Sequence, residues 1–214
     1  MQLYHYFRSS ASYRVRIALN LKGLPCELSP VHLLKQGGEQ LQAAFRAINP
    51  DGLVPALNDD GHIITQSLAI IEYLDETHPA PALLPGNAFD RAWVRALALQ
   101  IACDIHPLNN LRVQRYLSNE LKISDEGKSG WIAHWHEQGL LALEQTLARD
   151  ARVGTFCYGE QPTLADCCLV PQIYNAQRFK SDLSAMPTLM RINQACLALP
   201  AFAQAAPEAQ PDAE

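Results

Sequence analysis

Apolar positions over the first 77 residues switch between two periods, whereas beyond residue 90 only the three- and four-residue spacing of helices recurs. Leu3 to Phe7 is short and rich in aromatic residues, as a strand would be. Ser12 to Leu21 places Val15, Ala18 and Leu19 at helical spacing, and Gly23-Leu24-Pro25 stops it. Glu27 to Leu33 reads as a second strand, so the three pieces predict a right-handed parallel crossover. A helical segment follows from about Glu39 to Ala47. Val54 to Leu57 and His62 to Thr65 then form a hairpin around Asn58-Asp59-Asp60-Gly61, and a helix runs from Ser67 to about Glu76.

His78 to Pro85 carries three prolines and cannot continue a helix, which makes it a semi-rigid connector between two domains. The expected division is residues 1–80, mixed α/β, and residues 86–214, all helical. Trp93, Leu97, Ile101 and Ile105 lie on one helical face that Pro107 should bend. Further helices are expected at about Gly130 to Arg149, Leu164 to Gln177 and Thr188 to Leu199, with a loose tail from Ala205 to Glu214.

Composition narrows the classes. Of 214 residues, 48% are hydrophobic and 18% charged, which excludes a disordered or low-complexity chain. A formal charge of -5 with no basic run argues against nucleic acid or an anionic membrane as partner. The first ten residues show no signal-peptide pattern and no apolar run is long enough to span a bilayer, so a cytoplasmic protein is expected. Cys26, Cys103, Cys157, Cys167, Cys168 and Cys196 form no C-x-x-C pair and are read as reduced, mostly buried thiols. Cys103 and His106, three apart, lack further ligands and predict no metal site. His134 and His136 flank Trp135 and are expected at the surface or an interface.

Three segments carry chemistry. Arg8-Ser9-Ser10-Ala11-Ser12 sits where the first strand turns into the first helix, and the free N-H groups and positive dipole end there favour an anion. A serine hydroxyl is no base at neutral pH but can donate to a bound thiolate; equally, these serines fit a simple helix cap. Pro55 at a strand start forgoes a ladder bond; with a cis Val54-Pro55 bond, Val54 would present an open backbone edge to a peptide ligand. Ser67, expected as N-cap, and Gln66 stand at a second helix start suited to a carboxylate. Thr163-Leu164-Ala165-Asp166 reads instead as a capping box, a folding element.

Tyr6 to Leu19 (YFRSSASYRVRIAL), Asn49 to Leu57 (NPDGLVPAL), Gln66 to Leu74 (QSLAIIEYL), Asp104 to Val113 (DIHPLNNLRV) and Thr163 to Gln172 (TLADCCLVPQ) together resemble the zeta class of glutathione transferases. The likeness covers about residues 1–205. It implies a thioredoxin-like N-terminal domain, a helical C-terminal domain, a cytosolic homodimer, and glutathione as cofactor for cis-trans isomerisation of a small dicarboxylate. Maleylacetoacetate, from tyrosine and phenylalanine breakdown, is the implied substrate. By motif, Ser9 would be nearest the glutathione sulfur, with Ser10 and Ser12 beside it. The resemblance further implies Gln40 on a second helix, Val54, Gln66 and Ser67 as glutathione contacts. His106 and Asn110, implied as further glutathione contacts, would share one kinked helix with Arg112, and Arg8, Arg112 and Arg178 would bind the acid groups of the substrate. Ala11 stands where some members have cysteine. Maleylpyruvate is an alternative substrate. General conjugation, dehalogenation of haloacids, and a non-catalytic binding module are the other readings.

Overall fold

The computed structural model describes residues 1–214, which divide into two compact units: Met1–Leu84 with Leu197–Glu214, and Pro85–Cys196. The first unit opens with β1 (Gln2–His5), α1 (Ser10–Leu21) and β2 (Glu27–Pro30). β1 and β2 pair in parallel, with Leu3 opposite Leu28. β2 is shorter than the expected Glu27 to Leu33, because Pro30 has no N-H to extend the ladder, although Val31 still donates to the His5 carbonyl at 2.7 Å. β3 (Ala56–Asp59) and β4 (His62–Thr65) form the hairpin, giving the strand order β2-β1-β3-β4. Its two-residue turn, Asp60-Gly61, has φ of 49° and 87°, the mirror-image geometry whose twist suits a hairpin. α3 (Ser67–Thr77) packs beside α1 on the sheet, and Leu3, Val15, Ile17, Leu57, Ile70 and Leu74 are wholly buried between them. This is a thioredoxin-like arrangement.

The expected helix from Glu39 to Ala47 is broken. Two short 3-10 turns, Lys35–Gly37 and Glu39–Leu41, precede the one-turn α2 (Ala43–Arg46). Gly37 and Gly38 turn through positive φ and Gln42 is extended, so no continuous helix can form. The connector is pinned by Lys22, whose buried ammonium donates to Asp75 Oδ1 at 2.8 Å and to the carbonyls of His78 and Pro81 at 2.7 and 2.9 Å.

The tail differs most from expectation. It is neither loose nor part of the helical unit: α8 (Pro187–Leu197) leads to α9 (Pro200–Ala203), and the tail packs against α1. Tyr13 Oη donates to the Phe202 carbonyl at 3.4 Å and Arg16 Nε to the Ala205 carbonyl at 3.0 Å, while Phe202 and Ala205 are buried.

The second unit comprises α4 (Ala88–Leu99), a wider π-type turn over Gln100–Ile105, α5 (Leu111–Asn119), α6 (Asp125–Arg149), α7 (Leu164–Arg178) and most of α8. The expected bend at Pro107 is a full break into a 3-10 turn, His106–Asn109, and α5 is a separate helix. Gly139 in α6 makes room for Ile105, since a Cβ there would lie 2.3 Å from the isoleucine Cγ1.

His136 is not at the surface. It is fully buried, with Nδ1 2.7 Å from Ser181 Oγ and Nε2 3.0 Å from Asn175 Oδ1. Burial pulls its pKa to about 4, opposed by the Asn175 bond and assisted by the Arg178 charge. His5, buried in β1, is likewise lowered to about 4, by burial first, with Asp212 opposing and Arg16 assisting. Both imidazoles are therefore neutral in the fold while unfolded histidine protonates near 6.5, so their contribution is complete above that pH and is lost as pH falls toward 4. For His136 the expected cost is about 3 kcal/mol of stability by pH 4, and His5 adds a loss of the same sign. Urea unfolding of wild type and His136→Gln checks this: the variant should lose stability less steeply between pH 6.5 and 4.5.

Candidate active site

Tyr6 to Ser9 is a reverse turn between β1 and α1, closed by the Ser9 N-H on the Tyr6 carbonyl at 3.0 Å. Ser9 is the N-cap of α1, and its Oγ accepts the Ser12 N-H at 3.2 Å. Capping occupies an acceptor lone pair and leaves the hydroxyl proton to donate outward, so the cap and the thiolate donor are compatible roles for one side chain. Ser10 and Ser12 are buried, at 5% and 0% exposure, which leaves Ser9 as the accessible hydroxyl of the three. Ser12, expected beside Ser9 in the same loop, lies in the first turn of α1: its backbone N-H serves the Ser9 cap, and its Oγ is enclosed without a hydrogen-bond partner. Arg8 is half-buried, with Nη2 donating to Tyr6 Oη at 3.0 Å and its guanidinium 5.0 Å from the centre of the Phe7 ring. These contacts orient the guanidinium fork.

At the second helix start, Gln66, rather than Ser67, is the N-cap of α3. Its φ of 68° is unusual for a residue with a side chain, and the turn leaves that side chain exposed. Ser67 is the first helical residue, 6% exposed, and its Oγ accepts from Arg14 Nη1 at 3.2 Å. Arg14, itself 2% exposed, thus adds a buried positive charge beneath a helix N-terminus. The β1/β3 ladder ends at the Tyr4-Ala56 pair, so Val54 lies beyond it, before a cis bond to Pro55. Val54 also packs with Tyr6, Phe7, Val31 and Phe45, which joins that backbone edge to the Arg8-Ser9 turn. Gln40 lies in a 3-10 turn, not the expected helix, and its buried Oε1 has no hydrogen-bond partner within the chain.

In the second unit, His106 Nε2 is 3.5 Å from Asn110 Nδ2, so the structure brings that pair together. They do not share a kinked helix with Arg112, as expected: Asn110 is the N-cap of α5, accepting the Arg112 N-H at 3.0 Å, and Arg112 is exposed in its first turn. Arg178 is exposed at the end of α7, its guanidinium 4.4 Å from the Phe179 ring centre. No three His, Cys, Asp or Glu side chains are placed to hold a metal ion, and no helix is long and apolar enough to cross a membrane.

Residues 3–82 match the family of glutathione S-transferase N-terminal domains. A probable maleylacetoacetate isomerase of Vibrio cholerae serotype O1 is 55% identical over 211 residues, covering 99% of this chain and 97% of its own. A solved holo maleylpyruvate isomerase, a bacterial glutathione S-transferase of the zeta class, superimposes with a TM-score of 0.97 at 48% identity, covering 100% of both chains. The chain belongs to the zeta class of glutathione S-transferases. A maleylacetoacetate isomerase from Methylobacterium extorquens AM1, solved with bound malonate and GSH, gives 0.96 at 42% identity, again over 100% of both.

The donor set of this zeta-class chain fits glutathione. The orphaned Gln40 Oε1 awaits a donor, Val54 offers backbone beyond the sheet, Gln66 and Ser67 with Arg14 behind them suit a carboxylate, and Ser9 keeps a free O-H. Arg14, Arg16, His32 and Asp212 were not singled out from the sequence. A signal for the two arginines was present: they flank Val15 in a helix otherwise rich in apolar residues, so burial of either demands a built partner.

Proposed function

We propose that this zeta-class transferase is a glutathione-dependent cis-trans isomerase converting maleylacetoacetate to fumarylacetoacetate, as in tyrosine and phenylalanine breakdown, working as a cytoplasmic homodimer. The observation that carries the reading is the Ser9 hydroxyl at the mouth of α1, capping with its oxygen and free to donate its proton, with the Arg8 fork held beside it in the same turn. Bound glutathione supplies the sulfur nucleophile that adds reversibly to the alkene carbon conjugated to the ketone and so frees rotation about it.

The protein's own part is electrostatic. Ser9 and the helix end stabilise negative charge on sulfur, with Ser10 beside them in the first turn. Val54, Gln66 and Ser67 hold the peptide and γ-glutamyl ends, Gln40 takes one further donor, and Ser12 supports the Ser9 cap from within. His106 and Asn110 are assigned to the cofactor from the helical unit. In a protein of net charge -5, a diacid needs local cations, and these are Arg8, Arg112 and Arg178. Maleylpyruvate remains the second substrate, since an isomerase of that compound superimposes over the full chain.

Turnover of both diacids, with and without glutathione, tests the reading: rates that do not depend on glutathione overturn it. Arg8→Ala and Arg178→Ala are expected to raise KM for the diacid about tenfold, the order of one lost charge-assisted contact. A neutral ester of the same substrate should be nearly indifferent to both changes. Equal loss on diacid and ester would remove the charge argument.

A further inference from the structure

The acidic end of the chain reaches the Arg8-Ser9 turn by two routes. In the first, Asp212 Oδ2 accepts the Phe7 N-H at 3.1 Å. Arg16, 3% exposed on α1, donates Nη2 to the Phe7 carbonyl at 2.9 Å and Nη1 to the Tyr6 carbonyl at 3.4 Å. Both polar groups of Phe7, and the carbonyl that closes the turn, are thus clamped between one aspartate and one arginine. Asp212 is the counter-charge that opposes the fall of the Arg16 pKa, which burial pulls to about 10. His5 completes the cluster. A guanidinium can only donate, so His5 Nδ1, 3.3 Å from Arg16 Nη1, accepts; its proton then sits on Nε2, 3.8 Å from Asp212 Oδ1.

In the second route, Glu214 pairs with Lys35 and lies 3.3 Å from His32 Nε2. His32 Nδ1 accepts the N-H groups of Leu34 and Lys35 at 3.2 and 2.9 Å, so its proton is also on Nε2 and points to Glu214. The His32 ring meets Tyr6 edge-on at 5.0 Å, and Tyr6 Oη is the acceptor that orients Arg8. Tail contacts therefore converge by both routes on Tyr6 and Phe7, the two residues that lead into Arg8 and Ser9.

We propose that Asp212 is a positioning residue for the Arg8-Ser9 turn, and that the C-terminal acidic segment is a strap setting where the Ser9 hydroxyl and the Arg8 fork stand. The inference rests on the functional reading of those two residues. It goes beyond packing, because a reacting group displaced by a fraction of an ångström loses rate out of proportion to any loss of fold.

The test compares Asp212→Ala, which removes both acceptor and charge, with Asp212→Asn, which keeps an oxygen for the Phe7 N-H but abandons the Arg16 charge. Asp212→Ala is expected to lower kcat on maleylpyruvate about tenfold at saturating glutathione, while the Kd for glutathione moves less than about threefold, because its peptide ends are read elsewhere. Asp212→Asn is expected to melt earlier than wild type yet keep kcat within about twofold. Turnover that tracks melting temperature across both variants, or an unchanged kcat in Asp212→Ala, overturns the positioning role. Should Asp212→Ala not fold, Glu214→Gln decides: it alters a half-exposed group, and the expected result is a raised KM for the diacid at unchanged melting temperature. No change there overturns the strap. If wild type proves inactive on both diacids, the functional reading falls instead, and the same Ala/Asn contrast is required in conjugation of glutathione to an aryl halide.

Discussion

Replacing Ser9 by alanine is expected to cut kcat/KM on the diacid between about tenfold and a hundredfold, while leaving glutathione bound almost as tightly as before. The magnitude follows from removing one hydrogen bond to a charged acceptor, about 1.5 to 3 kcal/mol. Binding is spared because Val54, Gln66 and Ser67 lie on other elements. The loss should also depend on pH in a defined direction. The hydroxyl stabilises the thiolate over the thiol, so without it the sulfur pKa rises by about one to two units and the rate profile shifts to higher pH. The variant should thus recover part of its deficit in alkaline buffer, measured as kcat/KM against pH and by the ultraviolet absorbance of bound thiolate. Ser12→Ala is the control: its hydroxyl is fully enclosed, so the sulfur profile should stay where it was. A Ser9→Ala deficit equal at every pH, or matched by an equal loss of glutathione affinity, would contradict the assignment. Alanine also removes the α1 cap, about 1 kcal/mol, so rates should be compared at a temperature where both proteins are fully folded.

Features set by neighbours in the chain were legible in the sequence. The hairpin turn within Asn58 to Gly61, a serine cap between Ser9 and Ser12 and the Thr163-Asp166 box each need only a few adjacent residues, and the local chemistry of Gly, Ser and Asp decides them, whereas the strand expected from Val54 starts only at Ala56, after the proline. What was illegible depends on partners far along the chain. Arg16 is satisfied by the Ala205 carbonyl, 189 positions away, so nothing near it marks the tail as ordered. His136 sits beside Trp135 in a pattern that looks like surface, yet Asn175 and Ser181 close over it. Gln66 taking the cap from Ser67 is a different failure: serine is the better capping residue by propensity, but the strained backbone turn into α3 falls one position earlier. Even so, Ser9, Gln66 and Ser67 were singled out, because helix starts advertise themselves locally. Those that hold them in place, Arg14, Arg16, His32 and Asp212, were not.

Asp166→Ala is expected to be the most destabilising single change in the helical unit, about 3 to 5 kcal/mol, lowering Tm by roughly 10 °C. An isolated N-terminal cap is worth only about 1 kcal/mol, so the larger figure needs its own argument. Asp166 is wholly buried, and Oδ2 accepts both the Thr163 N-H at 2.7 Å and the Thr163 hydroxyl at 2.9 Å. Its other oxygen accepts the Cys157 N-H at 2.8 Å and lies 3.8 Å from Cys196 Sγ. The carboxylate therefore joins the start of α7 to the preceding loop and to α8. Alanine would strand three strong donors where no water reaches, each costing about 1 kcal/mol or more, as well as the cap. Burial raises the Asp166 pKa and these donors pull it down, so a neutral acceptor should be a partial substitute: Asp166→Asn is expected to recover roughly half the loss. The effect belongs to folding, not chemistry. Below the melting transition, kcat per folded molecule should remain near that of wild type, and a selective fall in kcat at full folding would move Asp166 from the scaffold to the reaction.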